Sequence, residues 1–433
     1  MKKQVSMVLA AAMTMSMVAA VPAAAEDITV FNSKMEIQTQ MEETLQGDYS
    51  STSGDKVTVY YSSDTVAAEM SKVYGSGSPY TVAMVDAKDI YSLAVEYGVD
   101  LSDQEWVANT TQAISVDGKV LGFPVCVEAR GLIYNKTAIE DITGEEFVPE
   151  NYKTLDAFKE LLETLKEGGM DAPVAIMKED WSLAAHYLAM FYEEREDVDA
   201  YIDALYAGEA DVAGDARFNS LMDTFDVLKE NNYAKDAPNA AVREDSEMFL
   251  ADGDVAFMFG GNWDWAVMAE FDPEGEYGIM PVPQNDADEY YTLVGGGSKY
   301  FYVDNSENTT DAQREAGKAL LNWFVFDEAG QDFLVNTCAL VPAFKTNTLD
   351  VSDPLGKSVK SYADDDKLIA NYNYDPDDHY SVCGASMQKY LAGEIDRAEL
   401  AKEVEAYWQG ATLADPAVTG GAAAGTEAAT EAE

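Results

Sequence analysis

Histidine and cysteine are almost missing from this chain. The only histidines are His186 and His379, the only cysteines Cys126, Cys338 and Cys383, and none of them cluster at metal-ligand spacing. A structural zinc site is excluded on that ground, no cofactor is called for, and three thiols cannot build the disulfide framework of small secreted domains. At most one bridge is possible, and Cys126 and Cys338 are expected to stay reduced. Basic residues are also scarce, with Lys+Arg 28 against Asp+Glu 79 and a formal net charge of -51. A field of that sign repels phosphate backbones and anionic membrane surfaces, which sets nucleic acid aside as a partner. It leaves neutral solutes unaffected and attracts cations, so polyamines and basic peptides stay open beside sugars. Long apolar runs are lacking after the first residues, and the chain offers no span of about 20 residues.

That first stretch reads as a targeting segment. Lys2 and Lys3 form a basic start, Val8 to Val21 an apolar run, and Pro22-Ala23-Ala24-Ala25 the small residues a signal peptidase needs, so residues 1–25 are expected to be removed on export. At the other end, residues 412–433 are Gly/Ala/Thr/Glu-rich with no apolar period, and are expected to be a disordered tail. The chain between is longer than one core usually supports, because single cores stop growing at roughly 250 to 300 residues. Two domains are the default. With 47% hydrophobic residues, there is enough apolar surface to bury both.

Ile28-Thr29-Val30-Phe31, Val57–Tyr61 and Thr81–Val85 are short apolar runs, each followed by polar residues and a helical stretch. That β-loop-α rhythm predicts a mostly parallel sheet with ligand-binding loops beyond the carboxyl ends of its strands, here Asn32-Ser33-Lys34, Ser62-Ser63-Asp64 and Asp86-Ala87-Lys88. Further on, Leu155, Phe158, Leu161, Leu162 and Leu165 line one helix face, with Thr154 as N-cap and Gly168 as stop. Val255–Phe259 reads as a buried strand, and Gly260-Gly261-Asn262 as the turn into a helix that begins with Trp263 and Trp265. Side chains two apart on a helix point to different sides, so one ring is expected in a cleft and the other in the core. Spacing alone leaves open which ring takes which place.

Several segments resemble the maltose-type extracellular solute-binding proteins of ABC sugar importers. Phe123 to Lys136, with its Tyr134-Asn135-Lys136, is similar to that family's first lobe-to-lobe crossing; Gly261-Asn262-Trp263-Asp264-Trp265 followed by Tyr277-Gly278-Ile279 resembles its tryptophan segment; Val294–Ser298 and Val341–Lys345 resemble the return crossing and its flanks; Gln388–Glu394 and Leu400–Val404 resemble its closing helices. The resemblance implies an α/β, two-lobed periplasmic-binding-protein fold, each lobe a mostly parallel sheet flanked by helices, joined by three hinge crossings. It places the N-terminal lobe at 26–127 and 288–338 and the C-terminal lobe at 128–287 and 339–411.

By the same resemblance the ligand is a sugar or small oligosaccharide. Trp263 would stack on a sugar ring, Glu128 and Asp86 would accept hydroxyl hydrogen bonds, and Trp181 and Tyr380 would add aromatic surface. Arg130 and Asn262, within the same two segments, complete the expected binding set. The implied partners are the permease subunits of an ABC importer, the implied state a monomer. The implied location is periplasmic or at the cell surface, without the lipid-modified cysteine that many relatives carry at the cleavage site. Rival readings are a polyamine or other cationic solute, a surface adhesin, an extracellular glycosidase and a serine hydrolase. The last lacks a Gly-x-Ser-x-Gly motif near either histidine, and with 79 acids some carboxylate pair will always meet a glycosidase's spacing. A binding protein without catalysis is therefore expected.

Overall fold

The computed structural model describes residues 25–411 except 272, 286–290, 366, 374 and 377. The tail at 412–433, and the expected signal peptide but for its last residue, lie outside the described residues. No described helix is long and apolar enough to cross a membrane.

The opening rhythm builds the first sheet. Strands β1 (Asp27–Asn32), β2 (Lys56–Tyr61) and β3 (Val82–Asp86) are parallel neighbours in the order β2-β1-β3, with the helix Val66–Gly75 between β2 and β3. That helix starts where Thr65 accepts a hydrogen bond from the Ala68 amide, and it buries Met70 and Val73. Strands β4 (Ile114–Val116), β5 (Lys119–Pro124) and β11 (Lys299–Val303) extend the sheet on the β3 side, and all three make antiparallel pairs.

The second sheet is organised around one long strand, β6 (Cys126–Asn135). On one edge β6 pairs first with β10 (Leu293–Gly297) and then with β9 (Tyr277–Met280); on the other it pairs with β12 (Val341–Pro342) and then β8 (Phe257–Gly261). All four pairings are antiparallel. Only β7 (Val174–Ala175) on β8 and β13 (Leu368–Ile369) on β10 are parallel. Both sheets are thus mixed rather than mostly parallel. Part of the reason is directional: β10 leaves the second sheet where β6 enters it, so the two must run in opposite senses.

The start of β6, the end of β10 and the short β12 together form the junction between the sheets. The return falls at Ser298, between β10 in the second sheet and β11 in the first, later than the expected boundary at 288. Glycines 295–297 allow this close ladder, since a Cβ at Gly295 would stand 2.5 Å from the Glu128 carbonyl oxygen.

Alternation along β6 then decides what faces what. Val127, Ala129 and Ile133 belong to a core shared with the first sheet, while Leu132 joins the second core, built on Phe158, Leu162, Phe218, Phe257 and Trp408. Glu128 and Arg130 lie on the Leu132 face, nearer the junction, where that face leaves the apolar core. The helix Leu155–Glu167 forms as expected, capped by Thr154 and burying the five apolar residues on its face. The helix His379–Leu391 packs on the π-helical run Trp181–Leu188 so closely that a Cβ at Gly384 would meet Asp180 Cβ at 2.5 Å.

Candidate functional site

A turn after β1 supplies the first component. Asn32 folds onto the chain it precedes: its Oδ1 accepts from the Lys34 amide at 2.9 Å and its Nδ2 donates to the Lys34 carbonyl at 2.8 Å. This sends the Lys34 side chain inward, where it is nearly fully buried. Its Nζ donates to Glu128 Oε1 at 2.6 Å and to Glu36 Oε1 at 2.8 Å. Burial alone would push the ammonium's pKa down; the two carboxylates outweigh it and hold the pKa above the ordinary lysine value. For Glu36, burial pushes up and Lys34 pulls down, and the balance lies at about 2.

These three charges face a cavity of about 20 Å³ whose opposite wall is Asn262, Trp263, Trp265 and Ala266, closed by Cys338 to Leu340 just before β12. Residues of both sheets and of the junction therefore line one space. Trp263 reaches it because its ring folds back over the end of β8: a Cβ at Gly261 would lie 2.3 Å from the indole, so only glycine leaves room. Asn262 is buried, and its Oδ1 accepts from the Ala129 amide at 2.9 Å, tying the tryptophan turn to β6.

Trp263 and Trp265 do not divide cleanly into cleft and core: Trp265 packs against the core shared with the first sheet, yet it lines the cavity beside Trp263. Both are half-buried and both line the cavity; Trp265 also packs on Tyr277, ring centroids 5.7 Å apart. The backbone explains the difference. Asn262–Asp264 is a tighter turn than an α-helix and the helix proper starts at Trp265, so α-helical side-chain directions do not apply across the pair.

Asp86 stands at the end of β3 and is paired with Lys299, its cross-strand neighbour on β11. Burial pushes its carboxyl pKa up, but Lys299, followed by Lys88 and Lys34, brings it below the ordinary value. It does not line the cavity. Arg130 is buried and each of its three guanidinium nitrogens donates: Nε to the His186 carbonyl at 2.9 Å, and the two terminal nitrogens to Asn371 and Glu193. Trp181 begins the π-helical run, half-buried, with the Arg243 guanidinium 5.8 Å from its ring. Tyr380 sits in the first turn of the helix His379–Leu391 and is not brought to the cavity.

The sequence placed Lys34 in a ligand-binding loop without singling it out, and it gave no sign of Glu36 or of His186, whose ring lies between Trp181 and Trp263. A loop lysine beyond a β-strand was the available signal for the first. The three cysteines are free and buried, and burial raises the Cys126 thiol to about 12.

Two mixed sheets meeting at one junction, with a cavity walled from both sides of it, define a two-lobed solute-binding protein. Residues 16–363 match the family model of the bacterial extracellular solute-binding proteins, and the chain belongs to that family. Among solved structures it is similar to the binding protein RafE, known from Streptococcus pneumoniae and solved with raffinose, at 18% identity over 88% of this chain and 98% of RafE, with a TM-score of 0.73. A sugar transporter component from Bacillus licheniformis solved with stachyose shares 16% identity over 88% of this chain and 99% of its own, TM-score 0.66. Maltose-bound MalE3 of T. maritima shares 14% over 89% and 99%, TM-score 0.69. At these identities the likeness speaks for the fold.

Proposed function

We propose that this protein captures a sugar or small oligosaccharide between its lobes and delivers it, as an exported monomer, to the permease of an ABC importer. The observation that carries this is the cavity's composition: two tryptophans on one wall and, on the other, hydrogen-bonding groups that include two carboxylates held by the Lys34 ammonium. A sugar offers C–H faces to indole rings and hydroxyls to carboxylates and amides. The structures solved with raffinose, stachyose and maltose share the fold and support the choice of ligand class.

The same wall argues against a cationic solute. Glu128 and Glu36 share the Lys34 ammonium, so a polyamine's ammonium would meet a lysine as well as acids. Nor is the site arranged for glycoside hydrolysis, which needs one carboxyl as acid and another as base or nucleophile. Here both cavity carboxylates are bound to one cation. That chemistry supports a binding role without catalysis.

A cavity of about 20 Å³ has room for little more than one water, so a sugar ring enters only when the lobes part. The test is calorimetry with raffinose, stachyose and maltose on wild type and Trp263→Ala. Stacking is worth about 0.5 to 1.5 kcal/mol beyond the area buried, and lost area adds to it, so a drop of at least about tenfold in affinity is expected with the melting midpoint little changed. Unchanged affinity in Trp263→Ala would remove this ring from the site.

A further inference from the structure

His186 lies behind the tryptophan wall of the cavity rather than among the residues that line it, with its ring between Trp181 and Trp263. Its ring centroid lies 5.2 Å from that of Trp181 and 4.8 Å from that of Trp263, at interplanar angles of 73° and 51°. Its main chain is held as well, since its carbonyl accepts from Arg130 Nε at 2.9 Å. The run Trp181–Leu188 is π-helical, and the extra residue per turn moves its side chains off ordinary helical spacing; such segments recur at functional sites.

Packing does not account for a histidine here. Its Nδ1 is buried and has no hydrogen-bond partner in the structure, whereas a phenylalanine would fill the gap between two indoles without leaving a polar atom unmatched. The surroundings keep the ring neutral: burial, followed by Arg130, Arg243 and Lys299, lowers its pKa well below the ordinary histidine value. A neutral imidazole carries one N–H and one lone pair. A sugar hydroxyl, which both donates and accepts, can meet either.

We propose that His186 is a ligand-contacting residue of this cleft, its imidazole hydrogen-bonding a ring hydroxyl of the bound sugar while Trp181 and Trp263 cover the sugar's C–H faces. This rests on the sugar-binding reading and assigns the polar specificity of the second-lobe wall to one side chain. The buried, unmatched nitrogen acquires a partner only with the ligand in place. A ligand lacking a hydroxyl at that position leaves the nitrogen unpaired and binds more weakly.

The experiment uses the full chain, raffinose, stachyose and maltose as probes, and two readouts. Calorimetry on wild type establishes which sugar binds; if none does, the sugar-binding reading falls and this assignment with it. With the tightest of the three, His186→Phe is expected to keep its melting midpoint and lose at least about tenfold in affinity. Ring ¹⁵N chemical shifts of wild type give the second readout independently of any variant. The chain has only two histidines, so the signals are separable by comparison with His379. Saturating sugar is expected to shift a ring nitrogen of His186 and leave His379 in place. Wild type that binds sugar with both His186 nitrogens unmoved overturns the assignment, as does a folded His186→Phe of unchanged affinity, and in either case the sugar-binding reading stands.

Discussion

Lys34 holds two carboxylates with one ammonium, and all three groups are largely removed from water. Removing one partner of such a pair strands the other, which typically costs more than the pair contributes when intact. Lys34→Met is expected to lower stability at neutral pH by roughly 3 to 5 kcal/mol, read from urea unfolding. The double variant Lys34→Met with Glu128→Gln should recover much of that. The pH dependence follows from the signs. Glu36, held down at about 2, contributes stability that is present above its unfolded value near 4.5 and lost as pH falls toward 2. Lys34, held above its ordinary value, contributes stability present below the unfolded lysine pKa and lost as pH rises through its folded one. A single variant no less stable than wild type would show that the ammonium is not needed there. Glu128 and Trp263 could be singled out from the sequence, and both line the cavity; that Glu128 is paired with a lysine 94 positions away could not, because only folding sets the two side by side.

At the scale of elements, the helix Pro354–Asp364 offers a clean titration. Its N-cap Asp353 is buried, Oδ1 accepts from the Gly356 amide at 2.5 Å, and Oδ2 has no hydrogen-bond partner. Burial raises its pKa to about 6, so its contribution is fully present below the unfolded value of about 3.9 and is lost as pH rises through 6. Asparagine caps as well as aspartate and does not titrate. Asp353→Asn should therefore gain stability relative to wild type as pH rises from about 4 to 6 and hold a constant offset above that, read as melting midpoints. An offset that does not change with pH would mean that Asp353 titrates as an ordinary carboxyl. The amphipathic helix Leu155–Glu167 was readable from its own residues, because its period and caps are local. The direction of β6 and the place of β10 were not, because a short apolar run carries no information about which strand will lie beside it or in which sense.

For the whole molecule, closure is the property that matters. The cavity is walled by Lys34 and Glu36 from the first lobe, Trp263 and Trp265 from the second, and Cys338 to Leu340 from the junction, so a sugar reaches it only through relative motion of the lobes. Small-angle scattering is expected to show a smaller radius of gyration in the presence of a bound sugar than in its absence. Equal radii with a sugar that calorimetry shows to be bound would exclude hinge closure as the means of capture. What the sequence alone determined is what depends on local pattern and on sums over the chain: a strongly acidic surface, the β-loop-α opening, capped helices, and segments similar enough to a family to point at two lobes and a tryptophan wall. What the tertiary structure decided is the sense of the strands in both sheets, the sharing of the cavity by Trp263 and Trp265, the engagement of Arg130 by Glu193, and the burial of Lys34 against Glu128. The strand senses and the two ion pairs are contacts between residues far apart in the chain, selected by burial and charge compensation that exist only once the chain is folded; the tryptophan pair depends on a local turn geometry that apolar spacing does not reveal.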